Sequence, residues 1–153
     1  MDIRFATKDD KNDVLKLLDE LGEEVNRKRN YSPHNAEAQK VGGPIFDEII
    51  SRKDTLIFIA EENGKLFGLV TLYLLSNIRH GWHRGHIEDF VVSEKMRGKG
   101  IGTQLLNAVK KYCKENNIKV IKLDSGLELT DAHKFYEKNG GKFTEKMFRF
   151  DIY

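Results

Sequence analysis

Apolar and polar positions alternate over residues 3–7, IRFAT, as in a half-buried strand. Thr7 then offers a hydroxyl to cap a helix. Val14, Leu17, Leu18 and Leu21 recur at steps of three and four, which predicts a helix whose apolar stripe ends at Gly22. Over residues 23–44 the signal is mixed, and Asn30, Pro33, Gly42 and Gly43 break structure. A short second helix is expected over 45–51, with Ile45, Phe46, Ile49 and Ile50 on its buried side.

A β hairpin follows. TLIFIA, residues 55–60, is β-branched and aromatic, Asn63-Gly64 is a turn signal, and residues 66–75 resume a long apolar strand. Residues 76–85 hold two glycines, an asparagine, cations and Trp82, and read as a loop. Residues 86–92 form another strand. From Gly100 to about Asn116, Ile101, Leu105, Leu106, Val109 and Tyr112 keep helical spacing, with Cys113 on the same apolar stripe. A short strand at 119–123, a helix at 129–139 stopped by Gly140-Gly141, and strand-like sequence over 143–153 complete the chain. The order β-α-α-β-β-β-α-β-α-β, without repeat or linker, predicts one α/β (α+β) domain over residues 1–153. Its sheet is mixed and mostly antiparallel, and only the strand-helix-strand unit over 86–123 requires a parallel crossover.

Composition narrows the class without naming a chemistry. The 153 residues carry 26 Lys plus Arg against 24 Asp plus Glu, a net charge of +2, too small to argue for nucleic acid. With 39% hydrophobic residues, nine Phe and five Tyr, the chain can build a core, which excludes intrinsic disorder. The single Cys113 excludes an intrachain disulfide framework and fits a reducing cytosol. No apolar run reaches the ~20 residues of a membrane span, and MDIRFATKDD is not a signal peptide, so a cytoplasmic protein is expected.

Local order is more informative at Met96-Arg97-Gly98-Lys99-Gly100-Ile101-Gly102-Thr103, which joins a strand to a helix. Glycines at alternate positions allow a tight turn and leave no Cβ in the way of a ligand. The following helix begins with unpaired N–H groups that favour an anion, Arg97 and Lys99 add charge, and Thr103 adds a hydroxyl. A diphosphate suits this turn; a Gly-rich connection with no ligand is the plain alternative. The P-loop pattern fails for lack of a Lys-Ser or Lys-Thr after the glycines, and the dinucleotide pattern fails because the spacing is G-x-G-x-G.

At these residues the chain resembles the GCN5-related N-acetyltransferase (GNAT) superfamily. Arg97-x-x-Gly100-x-Gly102 fits its [Q/R]-x-x-G-x-[G/A] signature for the coenzyme A pyrophosphate. Ile87-Glu88-Asp89-Phe90-Val91-Val92 resembles the central strand that meets the pantetheine arm through main-chain hydrogen bonds. Asp131 to Gly140 resembles the A-x-x-F-Y-x-x-x-G helix. The likeness covers about residues 3–151, and 88–140 is its specific part. It implies a GNAT-like sheet and acetyl-coenzyme A as co-substrate, held by Phe90, Val91, Val92, Arg97, Gly98, Lys99, Gly100, Ile101, Gly102 and Thr103. One departure is Gly141, where the family usually has Phe; Phe143 is the residue at hand to fill that pocket.

Acetyl transfer to an amine needs a neutral amine, a donor for the oxyanion and a proton for the departing thiolate. On a strand Glu88 shares a face with His86, Phe90 and Val92, and Asp89 with Ile87 and Val91. The two carboxylates are therefore expected on opposite faces. The resemblance places an acidic side chain at Glu88, which makes it the candidate base; an ion pair with a neighbouring cation is the alternative. Tyr136, four residues after Ala132, is the candidate general acid because the resemblance puts this tyrosine beside the coenzyme sulfur; a core tyrosine is the alternative. The resemblance gives the oxyanion a main-chain N–H near Val91 or Val92.

His80, His83 and His86 do not form a metal-binding pattern, since His83 opposes the other two on a strand, so no metal is expected. Arg27-Lys28-Arg29 reads as a solvated helix end beside Glu23 and Glu24. The expected function is N-acetyl transfer from acetyl-coenzyme A to a primary amine of a small molecule, or a protein amine, by direct attack in a ternary complex. The alternative is a non-catalytic acyl-coenzyme A-binding regulatory domain of the same fold. Neither nucleic acid nor membrane is expected as a partner, and a homodimer is left open.

Overall fold

The computed structural model describes residues 1–29 and 37–152. Two compact units divide the chain, Met1–Leu123 and Asp124–Tyr153. The first contains β1 (Asp2–Phe5), α1 (Lys11–Arg29), α2 (Ala38–Val41), α3 (Gly43–Ser51), β2 (Thr55–Glu62), β3 (Lys65–Asn77), β4 (Trp82–Val92), α4 (Ile101–Glu115) and β5 (Ile121–Leu123). Its sheet runs in the order β1-β2-β3-β4-β5, antiparallel except for the parallel β4–β5 pair. This is the mixed, mostly antiparallel sheet expected from the patterning.

Strand alternation distributes the core to both faces. Ile57, Ile59, Leu69 and Val91 pack with Val14, Leu15 and Leu17 of α1 and Phe46 of α3. Phe58 points the other way, to Tyr112 of α4 at 6.0 Å and Phe5 at 4.9 Å between ring centroids. On this face Gly68 lets α4 close in, because a Cβ there would lie 2.9 Å from Leu105 Cδ1 and 3.1 Å from the Val91 carbonyl. Ile59, Leu69, Leu72 and Leu105 are fully buried, and each contributes about 1.5–3 kcal/mol of transfer free energy.

Thr7 caps as expected. Its hydroxyl accepts from the Asp9 N–H at 3.3 Å, and Asp10 answers by accepting from the Thr7 N–H at 2.7 Å. Arg4 forks onto Asp10 at 2.9 and 2.8 Å and reaches Glu61 as well, so one guanidinium joins β1, the cap and β2.

Four sequence expectations change. The helix predicted to stop at Gly22 runs on to Arg29, because Leu18 and Leu21 pack on the core and Glu24 pairs with Lys28 one turn later, outweighing the ~1 kcal/mol cost of an internal glycine. Asn30 and Pro33 lie outside the described residues. In α3, which starts with Pro44 in its first turn, Phe46, Ile49 and Ile50 form the i, i+3, i+4 stripe and Ile45 is left 55% exposed. Residues 76–85 are largely strand: Ser76 pairs with His83 and Asn77 with Trp82, leaving a short turn at 78–81. Residues 143–152 form no strand, and Phe143, Phe148, Phe150 and Ile152 are exposed; an alternating pattern becomes a strand only where ladder hydrogen bonds form.

The second unit contains α5 (Thr130–Lys138). Gly140, at φ +89°, ends it: the Gly141 N–H bonds the Tyr136 carbonyl at 2.8 Å and the Gly140 N–H bonds that of Glu137 at 3.0 Å. A Cβ at 141 would lie 2.9 Å from the Tyr136 carbonyl oxygen, which accounts for Gly141 in place of a phenylalanine. Phe143 does not take over that packing, being 82% exposed. No helix among the described residues is long and apolar enough to cross a membrane.

The fork from Arg4, then the Thr7 N–H, hold the Asp10 carboxyl at about 2, below its ordinary 3.8 and against the opposing effect of burial. A depressed folded value stabilises above the unfolded pKa, and the gain is lost as pH falls through the folded one. Asp10→Asn is expected to cost about 1–2 kcal/mol at pH 7, shrinking toward zero near pH 2, as urea unfolding at the two pH values would measure.

Candidate functional site

The site is built at the end of β4. Its pairing with β3 is interrupted once: Leu72 pairs with Ile87 and Val70 with Phe90, so Glu88 and Asp89 together oppose Thr71. This bulge changes the facing rule for every residue beyond it. On its other edge β4 pairs with β5 only from Gly85 to Ile87, although β4 itself continues to Val92. β5 ends at Leu123, opposite Ile87, one residue before the bulge.

After Val92 the Ser93 N–H bonds the Phe67 carbonyl at 2.8 Å, a short 3-10 turn covers Glu94–Met96, and the Gly-rich turn enters α4. Gly98 and Gly100 have φ of +74° and +81°, and a Cβ on either would meet nothing within 4 Å. Glycine is required there by backbone conformation, and the space beside it is open. Gly100 caps α4 without a side-chain hydrogen bond, so the first N–H groups of the helix keep their donors for an anion. A diphosphate fits this cradle. Ile101 is buried against the Gly68 region and can offer a ligand only its main chain.

Arg97, expected to add charge to the turn, has its side chain engaged by neighbouring groups. Its Nε donates to the Val92 carbonyl at 2.9 Å, and Nη1 and Nη2 fork onto Glu24 of α1 at 3.0 and 2.5 Å. Glu24 also pairs with Lys28 at 3.0 Å, and its carboxyl is held low by Arg97 and Lys28, which together outweigh burial, the largest single influence. Glu24, Arg27, Lys28, Glu94 and Arg97 line an open cavity of about 330 Å³. Among the described residues Lys95 and Lys99 have no carboxylate partner, and Lys99 Nζ approaches Met96 Sδ at 3.4 Å.

The expected opposition of Glu88 and Asp89 is corrected by the bulge. Glu88 stays with His86, Oε2 to Nε2 at 3.1 Å, and its side chain is 59% exposed. Asp89 does not follow Ile87; it accepts from the buried Thr71 hydroxyl, on the face where Ile57 pairs with Thr71 and joins the α1 and α3 core. Burial and then the Glu88 charge push the Asp89 carboxyl up, against Thr71. Tyr73, paired with His86, feels both: burial first, then Asp89 and Glu88, push its phenol up. Two carboxylates and a phenol therefore share one side of the sheet beside the bulge.

In the second unit, Tyr136 sits in α5 against the ring of Phe135 at 5.5 Å, and burial pushes its phenol up. Cys113 is buried in α4 and its thiol is likewise raised by burial. His80 stacks on Trp82 at 5.2 Å, and among the described residues no three metal-ligating side chains converge. The sequence missed Glu24, 73 residues from Arg97, because no local pattern signals that pair. It underrated Asp89 because a bulge has no signature in this strand.

Comparison with known proteins places these features in context. The sequence model of the Acetyltransferase (GNAT) family matches residues 18–141. The aminoalkylphosphonate N-acetyltransferase of Salmonella typhimurium is 27% identical over 149 residues, 97% of this chain and 88% of that protein. A mutant of a Bacillus halodurans protein superposes with a TM-score of 0.85 over 100% of both chains at 22% identity. An aminoglycoside N-acetyltransferase solved in complex with CoA gives 0.76 over 99% of both chains at 19% identity. At these identities the two superpositions speak for the fold.

Because its folded-state value is raised, ionising Asp89 costs more in the folded chain than in the unfolded one. Its charge therefore removes stability as pH rises through the carboxylate range. Asp89→Asn, which keeps a partner for Thr71, is expected to raise the melting temperature at pH 7, with the gain fading by pH 3.

Proposed function

The chain belongs to the Acetyltransferase (GNAT) family, and we propose that it transfers the acetyl group of acetyl-coenzyme A to a primary amine of a small molecule by direct attack in a ternary complex. The observation that carries this reading is the turn at Gly98 and Gly100, with its positive φ angles, open approach and uncapped helix start behind β4. Small amines as acceptors are supported by the relative named for aminoalkylphosphonates and the fold neighbour named for aminoglycosides. A buried free thiol at Cys113 supports work in a reducing compartment, the cytoplasm.

The co-substrate brings an activated thioester; the chain supplies position and proton transfer. Main-chain N–H groups from Gly98 to Thr103 hold the diphosphate, with Lys99 beside them, and the Phe90, Val91 and Val92 backbone aligns the pantetheine arm. Glu88, open to solvent on β4, removes the proton from the acceptor's ammonium, directly or through water, so that a lone pair is free to attack. Tyr136, whose raised phenol stays protonated at neutral pH, donates to the departing thiolate.

A panel of primary amines assayed for coenzyme A release tests the reading. Release with one or more amines is expected; acetyl-coenzyme A binding with no release from any amine would favour a regulatory coenzyme-binding domain. Tyr136→Phe is expected to lower turnover about 10- to 100-fold with acetyl-coenzyme A affinity nearly intact. Unchanged turnover removes Tyr136 from the mechanism. Glu88→Gln is expected to lower turnover most at low pH, where the acceptor is most fully protonated.

A further inference from the structure

The pairing of Glu24 with Arg97 links the last turns of α1 to the entry of the Gly-rich turn. Three of the five guanidinium N–H donors of Arg97 are committed, one to the Val92 carbonyl and two to Glu24. Contacts at both ends of a planar fork fix its orientation, which a single point charge would not do. The bond to Val92 ties the side chain to the last residue of β4, and Arg97 itself immediately precedes Gly98. The geometry of the turn is thereby referred to a helix packed on the core. Glu24 suits that duty: its side chain is 16% exposed, against 43% for Arg97, and Lys28 steadies it from one turn away.

We propose that Glu24 is a positioning residue for coenzyme binding, holding Arg97 in the pose that sets the main-chain N–H groups of the turn toward a diphosphate. Arg97 then acts as a strut between β4 and α1 and not as a phosphate ligand. The inference rests on the coenzyme reading above. It names a contribution from α1 that the turn's own motif does not contain.

Two consequences of removing Glu24 oppose each other. Loss of the fork loosens the turn and weakens binding, whereas loss of a negative charge beside Arg27, Lys28 and Arg97 strengthens attraction for an anion. Salt separates them, because at 0.5 M the Debye length is about 4 Å and the second effect is screened.

The experiment measures coenzyme A binding by calorimetry in 0.5 M NaCl, and steady-state kinetics with an amine found in the panel, on the full chain. Glu24→Gln is expected to bind coenzyme A about tenfold more weakly, with KM for acetyl-coenzyme A raised similarly and kcat within about twofold. Glu24→Asp, which can keep the fork, recovers most of the affinity. Arg97→Lys, which cannot form one, matches Glu24→Gln, and the double variant is no worse than either single one. Asp10→Asn serves as a control that loses stability but not affinity. Equal binding by Glu24→Gln and wild type, additive losses in the double variant, or a loss matched by Asp10→Asn at equal destabilisation overturns the proposal. A wild-type chain that binds no coenzyme A overturns the coenzyme reading, and this inference with it.

Discussion

Backbone hydrogen bonding along β4 is the constraint on which the site depends. On one edge the strand is paired with β3 from Trp82 to Val92; on the other it is paired with β5 only through Ile87. Beyond Ile87 the β4 main-chain groups on that edge need partners other than β5. That pairing with β5 ends just before Glu88 and Asp89 together oppose Thr71, where the bulge turns two carboxylates to one side. The same few residues carry the bulge and both carboxylates.

Charge follows the same economy of place. The net charge of +2 is distributed so that Glu24 satisfies Arg97 and Lys28, while Lys95 and Lys99 flank the turn without carboxylate partners among the described residues. Oriented N–H groups at the turn need no side-chain reorganisation to meet an anion. At the other end of α1, Asp10 uses an equally directional fork from Arg4 to fix where the helix begins. Two Arg–carboxylate forks, one near each end of α1, relate this helix to the sheet and to the turn.

Family membership fixes the reaction type more firmly than the acceptor, because the segments that would shape an acceptor pocket are the least patterned in the chain. Gly141 illustrates how a departure from a family pattern can be a local backbone requirement. The cap after Gly140 brings position 141 within 2.9 Å of the Tyr136 carbonyl, so a side chain there would disturb the turn that carries the candidate acid.

The order of strands and helices from β2 to α5, the Asn63-Gly64 hairpin, the Thr7 cap and the Gly98–Gly100 turn were legible in the sequence, because each rests on interactions between residues a few positions apart. Where α1 ends, which side of α3 faces the core, the strand character of residues 76–85 and the unpaired state of 143–152 were not, because partners distant along the chain decide them. The site divides in the same way. Local patterning determined a glycine turn fit for a diphosphate at a helix start. Only the tertiary structure decided that Arg97 is bound to Glu24 and that Asp89 joins Glu88 on one face, since a fork across 73 residues and a one-residue bulge are set by the packing of α1 and β3 against β4.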